Sequence, residues 1–254
     1  MRVAFILFII FSSLHGVAGQ ARTIHVYVAL CDNRFQGIVP VPKNLGNGKV
    51  PRTNLYWGAA YGLKSYFEHK TDDWELLKSM DSDNPMILER VIFMHKTEEV
   101  YLLADAYDGE KINYCVEDFL KASNGQNPIQ LTHQSQELVF GGSADLVCYV
   151  GHNGLMDFDV DINYHSENPE VKDVMILTCY SKDYFSNEMV ESKTNPILWT
   201  THLMAPEAYT LKSAIDGWIL NESGKEIDER AAQTYNNYQN CGISGARNLF
   251  TTGF

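Results

Sequence analysis

"DLVCYVGHNGLMDF", residues Asp145 to Phe158, decides how this chain folds. From Leu146 to Val150 it is apolar throughout. An unbroken apolar run of strand length predicts a strand buried on both faces. Gly151-His152-Asn153-Gly154 follows at once and turns the chain. "VKDVMILTCYSKDYF", Val171 to Phe185, repeats the plan, with an apolar strand over Asp173–Thr178 that ends on Cys179. In open α/β sheets, reactive groups collect at the carboxyl ends of the strands. If the two strands are adjacent and parallel, His152 and Cys179 emerge at one edge. A cysteine nucleophile requires an imidazole to take its proton or to protonate a leaving amine. Gly151, Asn153 and Gly154 let a substrate backbone approach and expose N–H groups to an oxyanion, Asn tolerating left-handed backbone almost as Gly does.

The flanking sequence extends the pattern. "TIHVYVAL" (Thr23–Leu30) reads as another buried strand, followed by a loop rich in Gly, Pro and Asn. "NLYWGAAYGLKSYFEHK" carries apolar residues at helical spacing, with Asn54 as its N-cap. "LERVIFMHK" and "EEVYLLADAY" predict a pair of strands, and "EKINYCVEDFLKAS" a helix that "NGQNP" ends. "PILWTTH" predicts a further strand; "APEAYTLKSAIDGWIL" and "EIDERAAQTYNNYQN" predict C-terminal helices. Fully apolar strands alternating with helices predict a three-layer α/β/α sandwich around a mostly parallel central sheet.

The formal net charge of −12 argues against nucleic acid or an anionic membrane surface as partner, because both need a basic footprint. "MRVAFILFIIFSSLHGVAGQ" has an early Arg2, a short apolar run and the small-residue site Val17-Ala18-Gly19. It predicts a signal peptide over residues 1–19, one α/β domain over 20–254, and a secreted or periplasmic protein. The apolar run is too short to span a bilayer, and no later segment is apolar enough, so no membrane span is expected in the mature chain. Asn221-Glu222-Ser223 is a glycosylation sequon, relevant only in a eukaryotic source. The five cysteines (Cys31, Cys115, Cys148, Cys179, Cys241) form no CxxC or zinc pattern, and their odd number leaves a thiol over within one chain.

"LVCYVGHNG" and "VMILTCYS" together resemble the signature of the caspase-like cysteine peptidases, the clan of caspases, legumains, clostripain, gingipains and separase. There, an apolar strand ends in His-Gly and a second ends in a small residue and Cys. The order of elements is also similar, from Thr23 to about His202. The resemblance implies a caspase-like fold and a secreted cysteine endopeptidase acting on peptides or proteins without a cofactor. Cys179 is then the nucleophile and His152 the proton carrier. The clan has Gly directly after the histidine, whereas this chain has Asn153 and then Gly154; either backbone would supply the second oxyanion donor beside the N–H of Cys179. The specificity pocket maps onto Asp32 to Arg34, onto Leu177 with Thr178, and onto Thr200, Thr201 and His202. A fixed Arg34 guanidinium would favour acidic or amide side chains and disfavour Arg and Lys.

The chain order, His before Cys, excludes papain-like enzymes and α/β-hydrolases. Two other readings stay open. A caspase-like binding or surface protein without activity would account for the Asn153 departure. A metal-dependent hydrolase would use the acidic segment "DFDVDINYH". That segment fails an EF-hand match, which requires Gly and Glu where Ile162 and Asn168 stand. His152, Asp157 and His165 lack a metal-ligand spacing, so no metal site is expected. Alternation of Asp157, Asp159 and Asp161 with Phe158, Val160 and Ile162 predicts a half-exposed hairpin strand instead.

Overall fold

The computed structural model describes residues 21–37, 39–166 and 170–254; the expected signal peptide and Asn168 lie outside them. Chain order runs β1 (Arg22–Ala29), α1 (Leu63–His69), β2 (Trp74–Met80), β3 (Ile87–His95), β4 (Val100–Tyr107) and α2 (Ile112–Ser123). It continues with β5 (Pro128–His133), β6 (Gln136–Gly141), β7 (Leu146–Val150), β8 (Asp173–Leu177), α3 (Ser181–Glu191) and β9 (Asn195–Thr200). It closes with α4 (Ala208–Ile219), α5 (Gly224–Gln239), α6 (Ile243–Leu249) and β10 (Phe250–Thr251).

One sheet of eight strands has the order β10-β9-β8-β7-β1-β4-β3-β2. The five strands β9, β8, β7, β1 and β4 run parallel, and antiparallel strands close both edges. Every residue of β4 and β7 is buried; β7 is apolar throughout, and β4 is apolar but for Asp105. Side chains alternate between two cores. Val26, Val28, Cys148 and Leu177 face α1, α4 and α5, while Tyr27, Val147, Tyr149 and Ile176 face α2 and α3. The molecule is therefore a three-layer α/β/α sandwich with a mostly parallel sheet. In α2 the buried residues Ile112, Cys115, Val116, Phe119 and Leu120 form one face at helical spacing. Full burial of Phe119 alone contributes about 2–3 kcal/mol.

Three expectations need correction. The helix expected from Asn54 onward is a set of turns up to Gly62, with α1 only at its end. Asn54 does not cap it. Its side chain accepts from the Cys31 and Tyr56 N–H groups and donates to the Cys31 carbonyl, pinning this loop to the end of β1. At Gly62 a Cβ would lie 2.5 Å from the Trp57 backbone, so the chain folds back here more tightly than a continuous helix allows. The segment Asp157–His165 is not a hairpin strand: it belongs to no sheet. Its alternation is real in burial, because Phe158, Val160, Ile162 and Tyr164 pack against the α2–α3 core. Finally, β2, the β5–β6 hairpin, α3, α6 and β10 were not expected. Among the described residues no helix is long and apolar enough to cross a membrane.

Candidate functional site

The register of the parallel strands builds the site. Val28 pairs with Val150, and Val150 with Leu177, so β1, β7 and β8 end level. The strand order departs in both directions from β1, toward β4 and toward β7. That reversal leaves a crevice at the carboxyl ends. Gly151-His152 and Thr178-Cys179 leave β7 and β8 side by side. Gly151 has φ +146°, and a Cβ there would meet the Ala29 carbonyl oxygen at 2.8 Å, so only glycine fits this close approach to β1. Tyr180 takes a left-handed conformation (φ 50°), which turns the chain from β8 into α3 immediately after Cys179.

His152 and Cys179 line one cavity of about 380 Å³ at this edge. His152 is buried, 7% exposed, and its Nε2 lies 2.6 Å from Asp157 Oδ2. Among the described residues Nδ1 has no hydrogen-bond partner, which makes it the nitrogen free to exchange a proton. The Tyr149 hydroxyl donates to the His152 carbonyl at 2.6 Å and steadies the turn from below. The Met204 N–H donates to Cys179 Sγ at 3.4 Å, and the thiol faces the Met204 carbonyl at 3.6 Å. The loop after β9, Leu203 to Glu207, thus forms the wall over the sulfur. Opposite it stand Gly37, Val39, Val41, Leu55 and Tyr56.

Asn153 and Gly154 lie behind this surface. Asn153 is fully buried; its Nδ2 donates to the Cys179 carbonyl at 2.7 Å, and its Oδ1 accepts from the Leu155 N–H. It ties the histidine loop to the cysteine loop. Gly154 packs under the ring of Phe158. The backbone N–H of Cys179 has no hydrogen-bond partner among the described residues.

None of the residues expected to form the specificity pocket lines the cavity. Asp32 is buried and accepts from the Arg34, Phe35 and Gly48 N–H groups, so it holds the loop together. Arg34 is exposed and sits 5.0 Å over the Phe35 ring. Leu177 and Thr200 are fully buried, Leu177 in the core and Thr200 against Ser181. The Thr201 hydroxyl binds the Asn248 carbonyl and the His202 ring, and the His202 carbonyl takes the Tyr180 N–H. Residues that sequence reasoning missed take their place. Asp157 had a signal, a carboxylate five residues beyond His152, but its alternating neighbours drew it into a strand. Glu207 had none.

All five cysteines are free thiols. Burial pushes Cys31 up to about 11 and Cys115 and Cys148 well above their ordinary range, so these three are protonated structural residues. Cys148 shares its face and its core with Val150. Cys179 is half-buried in the cavity and Cys241 is exposed. Among the described residues no three His, Cys, Asp or Glu side chains gather as metal ligands. No family model, curated protein or solved structure matches this chain.

Proposed function

We propose that the protein is a caspase-like cysteine endopeptidase, exported through its N-terminal segment. The reading rests on one observation above all: Cys179 and His152 line the same cavity from the level ends of adjacent parallel strands, with His152 Nε2 held by Asp157. A nucleophile, a base and a group that orients the base are the parts acyl transfer needs. His152 Nδ1 takes the thiol proton as sulfur attacks the scissile carbonyl. The resulting oxyanion is met by the free N–H of Cys179. His152 returns the proton to the leaving amine, and a water, deprotonated by the same nitrogen, hydrolyses the thioester. Asp157 keeps Nε2 engaged, so Nδ1 remains the exchanging nitrogen.

A peptide-binding relative without turnover is favoured by a different observation, the Met204 backbone that contacts Cys179 Sγ through both its N–H and its carbonyl. One experiment separates the two. A peptidyl acyloxymethyl ketone should label Cys179 far faster than the exposed Cys241, and peptide cleavage should disappear in Cys179→Ala. Equal labelling of the two thiols, or cleavage that survives the substitution, would remove the endopeptidase reading. Mass analysis of the extracellular protein checks export, with cleavage expected before Gln20.

A further inference from the structure

The cavity has a feature that the catalytic pair does not use. Its walls are apolar, with Val39, Val41, Leu55, Met156 and Leu203 among them; among the described residues that line it, Glu207 is the one acidic residue and none is Lys or Arg. Glu207 Oε2 accepts from the Tyr209 hydroxyl at 2.9 Å and from Gln239 Nε2 at 3.1 Å. These neutral donors fix the carboxylate in place, while Oε1 has no partner among the described residues. Burial is the main influence on Glu207 and raises its pKa, the cost of a carboxylate with no cation beside it. An apolar channel with a half-buried carboxylate on its wall suits one kind of side chain: an aliphatic stem carrying a cationic head.

Building on the peptidase reading, we propose that this cavity is a specificity pocket for a basic side chain, with arginine or lysine methylenes against the apolar walls and the cation on Glu207 Oε1. The overall charge of −12 acts in the same sense, drawing basic peptides toward the site. The proposal replaces the acidic or amide preference expected from Arg34, which lies outside the cavity.

The test does not depend on turnover. Binding of N-acetyl-arginine methylamide and of its neutral isostere N-acetyl-citrulline methylamide is measured by calorimetry on the Cys179→Ala protein. The arginine ligand should bind about tenfold tighter or more, as a charge-assisted contact predicts. Adding Glu207→Gln should erase the difference, with the arginine ligand losing more affinity than the citrulline ligand. Equal binding of the two ligands, no binding of either, or a preference that survives Glu207→Gln would overturn the proposal. Arginine selectivity without peptide cleavage would retain the pocket and remove the peptidase reading. Cleavage without charge selectivity would do the reverse.

Discussion

Two of the histidine–aspartate pairs among the described residues have opposite surroundings. His25 and Asp105 meet inside the sheet, both fully buried, with Nε2 and Oδ2 3.1 Å apart. The Gly141 N–H donates to His25 Nδ1, so the ring is neutral and its Nε2–H points at Asp105. Arg90 takes both carboxylate oxygens at 2.6 Å. Every polar atom of that ring has a fixed partner, and the pair can only hold strands together. His152 and Asp157 are joined by a shorter contact, 2.6 Å, yet Asp157 is 39% exposed and Nδ1 remains open in the cavity that Cys179 also lines. A His–Asp contact becomes chemical equipment through the nitrogen left unused, whatever the strength of the contact.

The first way to break this contrast is to remove the reacting pair. His152→Ala should lower peptide hydrolysis by about 10³-fold, within the range for lost general acid–base catalysis, with an unchanged melting curve. Retained activity would make His152 as structural as His25. The second acts on the other pair. Asp105→Ala strands a buried Arg90 and His25 and should destabilise the protein by about 3–5 kcal/mol in urea unfolding, with normal specific activity in the fraction that folds. The third is the matched change, Asp157→Asn, which should cost about 10- to 100-fold in turnover through loss of ring orientation, and almost nothing in stability.

The smallest effect sharpens the comparison through pH. Burial lowers the pKa of His25 below its ordinary 6.5. As pH falls through that value the unfolded chain binds a proton that the folded chain refuses, so stability declines toward acid. The decline should reach about 1 kcal/mol between pH 7 and pH 5.5. Burial opposes ionisation of Asp105, but Arg90 and His25 hold it below the usual carboxylate range, so its own contribution is lost only at lower pH. His25→Gln should remove the decline. Read as a difference from wild type, the measurement cancels Asp118, Asp216 and Glu207, whose pKa values burial raises and which act in the opposite direction. An unchanged pH profile would show that His25 titrates normally.

What the sequence revealed divides along the same line. Strands buried on both faces announce themselves by unbroken apolar runs, so β1, β7, β8 and β9 were legible, and with them the positions of His152 and Cys179. Elements with little apolar sequence were not. Strand β2, at the sheet edge, fully buries only Trp74, and α3 buries only Ser181, Phe185 and Met189. The cavity walls were illegible for a different reason. Val39, Met204 and Glu207 lie on loops without periodicity, and only tertiary packing brings them beside Cys179. Leu177 was assigned to the pocket by resemblance, as a residue just before the cysteine, but it is the last residue of β8 and its side chain is core.

The anchoring of Glu207 has an optical consequence. Tyr209, whose hydroxyl holds the carboxylate, stacks on Tyr238 with ring centres 4.0 Å apart and planes 1° from parallel. Tyr61 meets both rings edge-on at 5.9 and 5.4 Å. Transition dipoles held this close and this rigidly interact, and their near-ultraviolet circular dichroism depends on the fixed geometry of the group. A charge arriving at Glu207 alters the polarity at the phenol oxygen of one partner in the stack. The protein therefore carries an intrinsic chromophore beside its cavity, able to register occupancy without a label and in a protein whose thiol has been removed.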